Sequence, residues 1–345
     1  VREWVVARGA PTYRCAQILA AVYRRRARSF AAMSDLSIAL RADLAAEFVV
    51  PALTPSVVCQ ATDGTRKMLF RLDERAAIES VLIPDPPRLT LCVSSQAGCG
   101  MGCTFCATAR LGLLRNLSAN EIVGQVLAAQ DELRPGERIS NIVFMGMGEP
   151  LANLDAVLQA IEILCADWGC GLSARRITVS TVGLVPAMQR LVRETTVHLA
   201  VSLGATTDEQ RDRIMPVNRR YPLAALIAMC RDLPIAQRRR ITFEYVMLAG
   251  VNDALEDAGR LVRLLHGIRA KVNLIPFNGF PGAGFVSSAR DQILRFQQAL
   301  LRRGVHATIR ESRGRDIQAA CGQLALAHVP AARAVTAAAS PALGA

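Results

Sequence analysis

Two features of this 345-residue sequence predict an α/β fold in which repeated strand–helix units build a parallel barrel, complete or partial. From about residue 88 onward, short β-rich segments alternate with longer stretches whose apolar residues recur at helical spacing. Such alternation implies a parallel sheet covered by helices. The motifs that carry candidate chemistry also fall at the carboxyl ends of the predicted strands, where barrels of this kind keep their active sites. About six βα units are legible, which suggests a partial (β/α)6 TIM-like barrel. A small helical and β-hairpin unit precedes it.

Taken in order, residues 13–47 are expected to be helical. Ile18, Leu19 and Val22 lie at helical spacing, and Leu36, Leu40 and Leu44 recur every fourth residue. Between 56 and 72 the pattern changes to two β-rich runs joined by Asp63-Gly64, a hairpin signal. An extended stretch at 78–83 ends at Pro84-Asp85-Pro86-Pro87, which bounds an N-terminal unit of residues 1–84. Core strands are predicted at 89–94, 139–145, 176–180, 197–202, 242–247 and 272–275, with a weaker one at 306–310. Helices are predicted at 119–133, 154–167, 184–193, 223–231, 254–266 and 287–303. Ser118-Ala119-Asn120-Glu121 reads as a capping box that starts the first of these. The core then spans 85–326, and the alanine-rich residues 327–345 are expected to form a flexible tail.

Charge narrows the partners. Forty-one basic residues against 29 acidic ones give a net charge of +12, and only Lys67 and Lys271 among the basic residues are lysines. Blocks at Arg24, Arg25, Arg26 and Arg28 and at Arg238, Arg239 and Arg240 are joined by pairs at Arg219-Arg220 and Arg302-Arg303. A charge run is often only a solvated face, yet the overall balance favours a polyanion such as RNA as partner. No apolar stretch approaches the ~18 residues of a membrane span, and no secretory leader is visible. Ten cysteines in that setting read as reduced thiols and metal ligands, so a cytoplasmic location is expected.

The densest chemistry lies in Cys99-Gly-Met-Gly-Cys103-Thr-Phe-Cys106, just after the first core strand. Three thiolates so spaced can bind three irons of a four-iron cluster and leave the fourth open, whereas electron-transfer clusters normally have four cysteine ligands. Zinc is the first rival, but the nearest histidine in sequence is His198 and no second C-x-x-C follows. The second core strand delivers Gly146-Met147-Gly148-Glu149-Pro150, two glycines that permit close backbone approach and a carboxylate able to pair with an ammonium. This C-x-x-x-C-x-aromatic-C loop followed by Gly-Glu-Pro resembles the radical S-adenosylmethionine (radical SAM) enzymes. In that superfamily the open iron is chelated by SAM, and the Gly-Glu-Pro segment holds its amino group.

The runs LCVSSQAGCGMGCTFCATA, FMGMGEPLAN, SLGATTDEQRDRIMPVN, FEYVMLAGVND, NLIPFNGFPG and ESRGRDIQAACGQLA resemble the RlmN/Cfr family of RNA methyltransferases, on its RlmN branch. The likeness runs from about residue 12 to 326. It implies methylation of adenosine C2 in 23S rRNA and in tRNA, with a [4Fe-4S] cluster and two SAM molecules per turnover. It further implies that Cys99, Cys103 and Cys106 hold the cluster. Gly148, Glu149, Ser180, Ser202, Leu203, Gly204 and Asn278 would line the SAM pocket. Cys321 would accept the methyl group, Cys92 would resolve the protein–RNA adduct by forming a disulfide with it, and Glu79 would be the proton acceptor. A flavodoxin-like electron donor and a monomeric state are expected. One departure is visible, since familiar members have His or Asn where this chain has Gly204.

The chemistry agrees with those residues. Adenine C2 is not nucleophilic, so an activated one-carbon fragment has to be delivered to it. A thiolate is a good nucleophile toward a sulfonium methyl, and a carbon radical formed from that methyl can add to C2. A base and a second thiol then release the product. Cys15, Cys59, Cys165, Cys170 and Cys230 match no motif and are expected to be core cysteines. A Cfr-type C8 methyltransferase remains the nearest alternative, because the same cysteines serve either reaction. An iron–sulfur RNA-binding protein without methyltransferase activity is a more distant one.

Overall fold

The computed structural model describes residues 1–50, 52–234, 239–317 and 319–328. Three helices open the chain: α1 (Arg2–Ala7), α2 (Tyr13–Tyr23) and α3 (Ile38–Glu47). Strands β1 (Val57–Gln60), β2 (Arg66–Arg71) and β3 (Ala77–Asp85) follow as an antiparallel meander. β3 then pairs antiparallel with β4 (Arg88–Cys92), so the sheet runs unbroken through the Pro84–Pro87 turn.

A two-stranded hairpin, β5 (Gln96–Gly98) with β6 (Leu113–Asn116), brackets the cysteine loop. The remaining elements are α4 (Ala119–Asp131), β7 (Asn141–Phe144), α5 (Leu154–Cys165), β8 (Ile177–Thr181), α6 (Val185–Glu194), β9 (His198–Ser202), α7 (Asp208–Ile214) and α8 (Leu223–Asp232). After them come β10 (Ile241–Met247), α9 (Leu255–Leu265), β11 (Ala270–Pro276), α10 (Arg290–Leu301), β12 (Ala307–Ile309) and α11 (Gln323–His328). The large sheet has ten strands in the order β1-β2-β3-β4-β7-β8-β9-β10-β11-β12, and those from β4 onward are parallel. β1 and β12 are its two edges, so the barrel is partial. Ser118 accepts from the Glu121 N–H while Glu121 reaches back to the Ser118 N–H, the predicted capping box at the start of α4.

Period-two alternation sorts the parallel strands into two faces. Ile142 and Phe144, Ile177 and Val179, Phe243 and Tyr245, and Val272 and Leu274 are buried in the main core. Tyr245 stacks on Phe296 of α10 at 5.5 Å between ring centroids. Each such side chain contributes about 1.5–3 kcal/mol by leaving water. The alternate positions, Val143, Thr178, Thr242, Glu244, Asn273 and Thr308, line a cavity. Many barrels fill this space with branched apolar side chains; here much of it is polar.

The first arginine block has a different surrounding from a bare solvated run. Arg25 pairs with Asp35 at 2.8 Å, and Arg26 and Arg28 both pair with Asp131 at the end of α4. The block therefore ties the N-terminal helices to the core. Arg238 of the second block and residues 329–345 of the expected tail lie outside the described residues. Of the five cysteines expected in the core, Cys230 is buried and the other four are half-buried.

Candidate active site

The cysteine loop is pinned by backbone bonds at several points. Cys99 N–H donates to Gly112 C=O at 2.8 Å, Thr104 N–H to Ile214 C=O at 3.0 Å, and Cys106 N–H to Cys103 C=O at 3.1 Å. Cys99 and Cys103 are buried and Cys106 is half-buried. Burial pushes the Cys99 thiol up to about 12, with Cys106 and Glu149 adding to it, and pushes Cys103 up further in the same direction. Such thiols ionise only when a metal supplies positive charge. Among the described residues, no three His, Cys, Asp or Glu side chains converge as ligands of a single metal ion. Three cysteines on one loop are a donor set that suits a four-iron cluster, in which each thiolate takes a different iron.

Beside the loop, the turn after β7 forms one wall of a cleft. Its lining includes Phe105, Gly148, Glu149, Ser180, Ser202 and Gly204. Gly148 has φ +98°, and a Cβ there would lie 2.5 Å from Gln96 Cβ, so only glycine lets the turn close. Gln96 Oε1 in turn accepts from the Glu149 N–H at 2.8 Å. The Glu149 carboxylate is buried and accepts from the N–H groups of Leu151 at 3.0 Å and Val182 at 2.9 Å. Burial outweighs those bonds and raises it to about 7.

Leu203, between two residues that line the cleft, is fully buried, and its carbonyl accepts from Arg211 Nε at 2.8 Å. Gly204 has φ +72°, and a Cβ would come within 2.5 Å of Met215 Sδ. Asn and His are among the side chains that best tolerate this backbone region. The departure at 204 is thus compatible with an unchanged backbone path, leaving Met215 in the space of the missing side chain.

A second chamber adjoins the cleft. Its walls include Val81, Cys92, Asn278 and Cys321, and the two spaces share Met145, Val246, Ile275 and Arg310. Cys92 ends β4 opposite Val81 of β3. Cys321, 229 positions away, comes within 4.0 Å of it, sulfur to sulfur. The Cys321 thiol also donates to Met145 C=O at 3.3 Å. The contact with Cys321, followed by the charge of Arg310 and a bond to Met145, lowers Cys92, whereas the same contact and burial raise Cys321 well above the ordinary thiol range. Glu79 of β3 lies beneath the segment that bears Cys321 and accepts from the Gly322 N–H at 2.8 Å and the Ala325 N–H at 2.6 Å.

Asn278 lines the Cys321 chamber, which shares wall residues with the cleft around Glu149, and a neighbouring cavity. Past the end of β11 the chain runs toward the C-terminal segment, where Gln323 Nε2 donates to Gly279 C=O at 3.2 Å.

Sequence reasoning missed several supporting residues. Lys67 is fully buried 2.9 Å from Glu79, and its being one of only two lysines was the available signal. Arg211, on a helix that was not predicted, donates to the carbonyls of Leu203 and of Val182, the latter at 2.7 Å, and so fastens the ends of β9 and β8. Gln125 of α4 accepts from the Ser94 N–H at 2.8 Å and donates to its C=O at 2.9 Å, which fixes the approach to the cysteine loop. Neither carried a sequence signal.

This combination of partial barrel, three-cysteine loop and adjacent Gly-Glu-Pro cleft defines a radical SAM enzyme. Residues 93–264 match the model of the radical SAM superfamily, and residues 1–50 match that of the ribosomal RNA large subunit methyltransferase N-terminal domain. The dual-specificity RNA methyltransferase RlmN of Geobacter sulfurreducens is 54% identical over 94% of this chain and 89% of its own length. That of Syntrophobacter fumaroxidans is 53% identical over 94% and 95%. The crystal structure of a radical SAM methyltransferase from Sphaerobacter thermophilus superposes with a TM-score of 0.88 at 49% identity, covering 93% of this chain and 95% of that one. The chain belongs to the RlmN family of radical SAM RNA methyltransferases. Membership implies a [4Fe-4S] cluster, SAM and an RNA substrate. No helix among the described residues is long and apolar enough to cross a membrane.

Proposed function

We propose that this enzyme methylates C2 of adenosine in 23S rRNA and in tRNA, with Cys321 as methyl carrier, and uses two SAM molecules per turnover. The observation that carries the reading is the 4.0 Å approach of Cys92 to Cys321 in a chamber sharing four wall residues with the Gly-Glu-Pro cleft. Cys99, Cys103 and Cys106 would hold a [4Fe-4S] cluster, which when bound would supply the electron for cleavage of SAM. Glu149 would pair with the methionine ammonium, Ser180, Ser202 and Gly204 line the cleft, and Leu203 would contribute through its backbone between the last two. Cys321 would present its methyl carbon to the base from the adjoining chamber. Glu79 accepts the C2 proton, and the Cys92 thiolate attacks the Cys321 sulfur to free the product and leave a disulfide.

The surroundings support these roles. Cys92 suits the attacking group because its sulfur lies 4.0 Å from that of Cys321 and Arg310 lines the same chamber, where its charge favours a thiolate. Residues 1–84 act as an accessory unit that positions RNA through backbone contacts, beside a catalytic core of 85–326. The match of residues 1–50 to the family's N-terminal domain supports that division. The reading also takes the protein to be a cytoplasmic monomer reduced by a flavodoxin-like donor. Mass spectrometry of nucleosides from RNA treated with the reconstituted enzyme tests the proposal. It predicts 2-methyladenosine; 8-methyladenosine alone would make the enzyme Cfr-type, and an absence of methylated adenosine would remove the reading.

A further inference from the structure

Lys67 and Glu79 form an ion pair at 2.9 Å with side chains 0% and 1% exposed. Both also grip the backbone around Cys321. Lys67 Nζ donates to the carbonyl of Ala320, the residue before it, at 3.0 Å. Glu79 Oε2 accepts from Gly322, the residue after it, and Glu79 Oε1 accepts from Ala325. β2 and β3 pair antiparallel, with Leu69 opposite Glu79 and Lys67 opposite Val81, so one rigid ladder carries both halves of the grip. The Cys321 thiol is thereby set against Met145 C=O and Cys92.

We propose that Lys67 is a positioning residue which, with Glu79, clamps residues 320–325 in a thiol-paired position, and that Glu79 becomes available as a base only when the clamp opens. In the closed arrangement both carboxylate oxygens are occupied by backbone N–H groups, and one of them also by the Lys67 ammonium. Three donors occupy three of the roughly four lone-pair sites of a carboxylate, and burial keeps any outside proton donor from the remaining one. Lifting of the segment frees those oxygens and, in the same movement, parts Cys321 from Cys92. Proton abstraction and disulfide closure thus belong to two positions of one segment. The inference rests on the proposed roles of Glu79, Cys92 and Cys321.

The test is the thiol–disulfide equilibrium of the cluster-loaded protein with glutathione, read with amide exchange of residues 320–326. Oxidised glutathione takes two electrons and two protons from Cys92 and Cys321, giving the protein disulfide and two reduced glutathiones. Lys67→Met removes the ammonium, and Ala325→Pro removes one N–H from within the first turn of α11, where proline is tolerated. Ala325→Pro leaves the buried ion pair untouched, so it remains informative if Lys67→Met fails to fold. Each variant is expected to lower the disulfide-forming constant about tenfold and to raise amide exchange around Cys321 by a similar factor, with iron content unchanged. Lys67→Arg should recover part of the loss. Unchanged equilibrium and exchange in both clamp variants would overturn the clamp. Nucleoside analysis of wild-type product would still report independently on C2 methylation.

Discussion

The cysteine loop and the two-thiol chamber lie side by side, yet they are built in opposite ways. Cys99, Cys103 and Cys106 sit within eight consecutive residues, bracketed by the β5–β6 hairpin and fastened by two short-range backbone bonds and one from Thr104 to Ile214. Cys92 and Cys321 are 229 positions apart and meet only because the sheet brings β3, β4 and the C-terminal segment together. A local motif tolerates changes elsewhere in the fold, whereas the chamber depends on every strand between its two thiols and on the clamp beneath it. Damage to the two should therefore be separable.

The largest effects come from the thiols themselves. Cys103→Ala should lose most bound iron in anaerobic reconstitution, and Cys321→Ala should keep its iron but give no methylated RNA, as iron analysis and RNA assays would register. Cys92→Ala should keep iron and methylate Cys321, and then accumulate RNA bonded to the protein, visible on denaturing gels. Turnover by Cys92→Ala at the wild-type rate without adduct would reduce Cys92 to a packing residue.

Arg211 fastens the ends of β8 and β9, and Arg211→Leu leaves the carbonyls of Val182 and Leu203 without their donor. A loss of about 3 kcal/mol in unfolding free energy is expected, measurable by denaturant titration. Glu149→Gln should weaken SAM binding by about 2 kcal/mol, roughly 30-fold, because a buried ammonium loses its carboxylate.

The pH dependence has a defined sign. Without SAM, folded Glu149 keeps its proton up to about pH 7, while the unfolded chain releases it in the ordinary carboxylate range. Its contribution to stability is thus full at low pH and is lost as pH rises through about 7. SAM affinity should rise over that window, and calorimetry of Glu149→Gln should show the rise flattened.

Much of the fold could be read from the chain because parallel strands announce themselves by local composition. The predicted strand at 242–247 matches β10 within a residue, and the capping box marks the start of α4. The β3–β4 pairing was hidden because a proline-rich turn reads as a boundary when strand partners are unknown. Lys67, Arg211 and Gln125 escaped notice because their roles arise from neighbours distant in sequence. The wall on which Asn278 falls was not legible for the same reason: its motif was clear, but the direction of the chain after β11 was not.

The smallest effect is expected at the surface. Arg26→Ala with Arg28→Ala breaks exposed pairs with Asp131 and should cost less than about 1 kcal/mol in thermal unfolding. Since these arginines dock the N-terminal helices, the slope of log affinity for RNA against log salt should move by less than ~0.7, the contribution of one phosphate on a single strand. A larger change would return the block to RNA contact.

The central claim, that the methyl group reaches RNA through Cys321, is tested most directly by a pulse of methyl-labelled SAM followed in time by peptide and nucleoside mass spectrometry. The label should appear first on the peptide bearing Cys321 and only later at C2 of adenosine, with the early label chased into RNA. Label arriving in RNA at full rate while Cys321 stays unmodified, or in a Cys321→Ala protein, would contradict it.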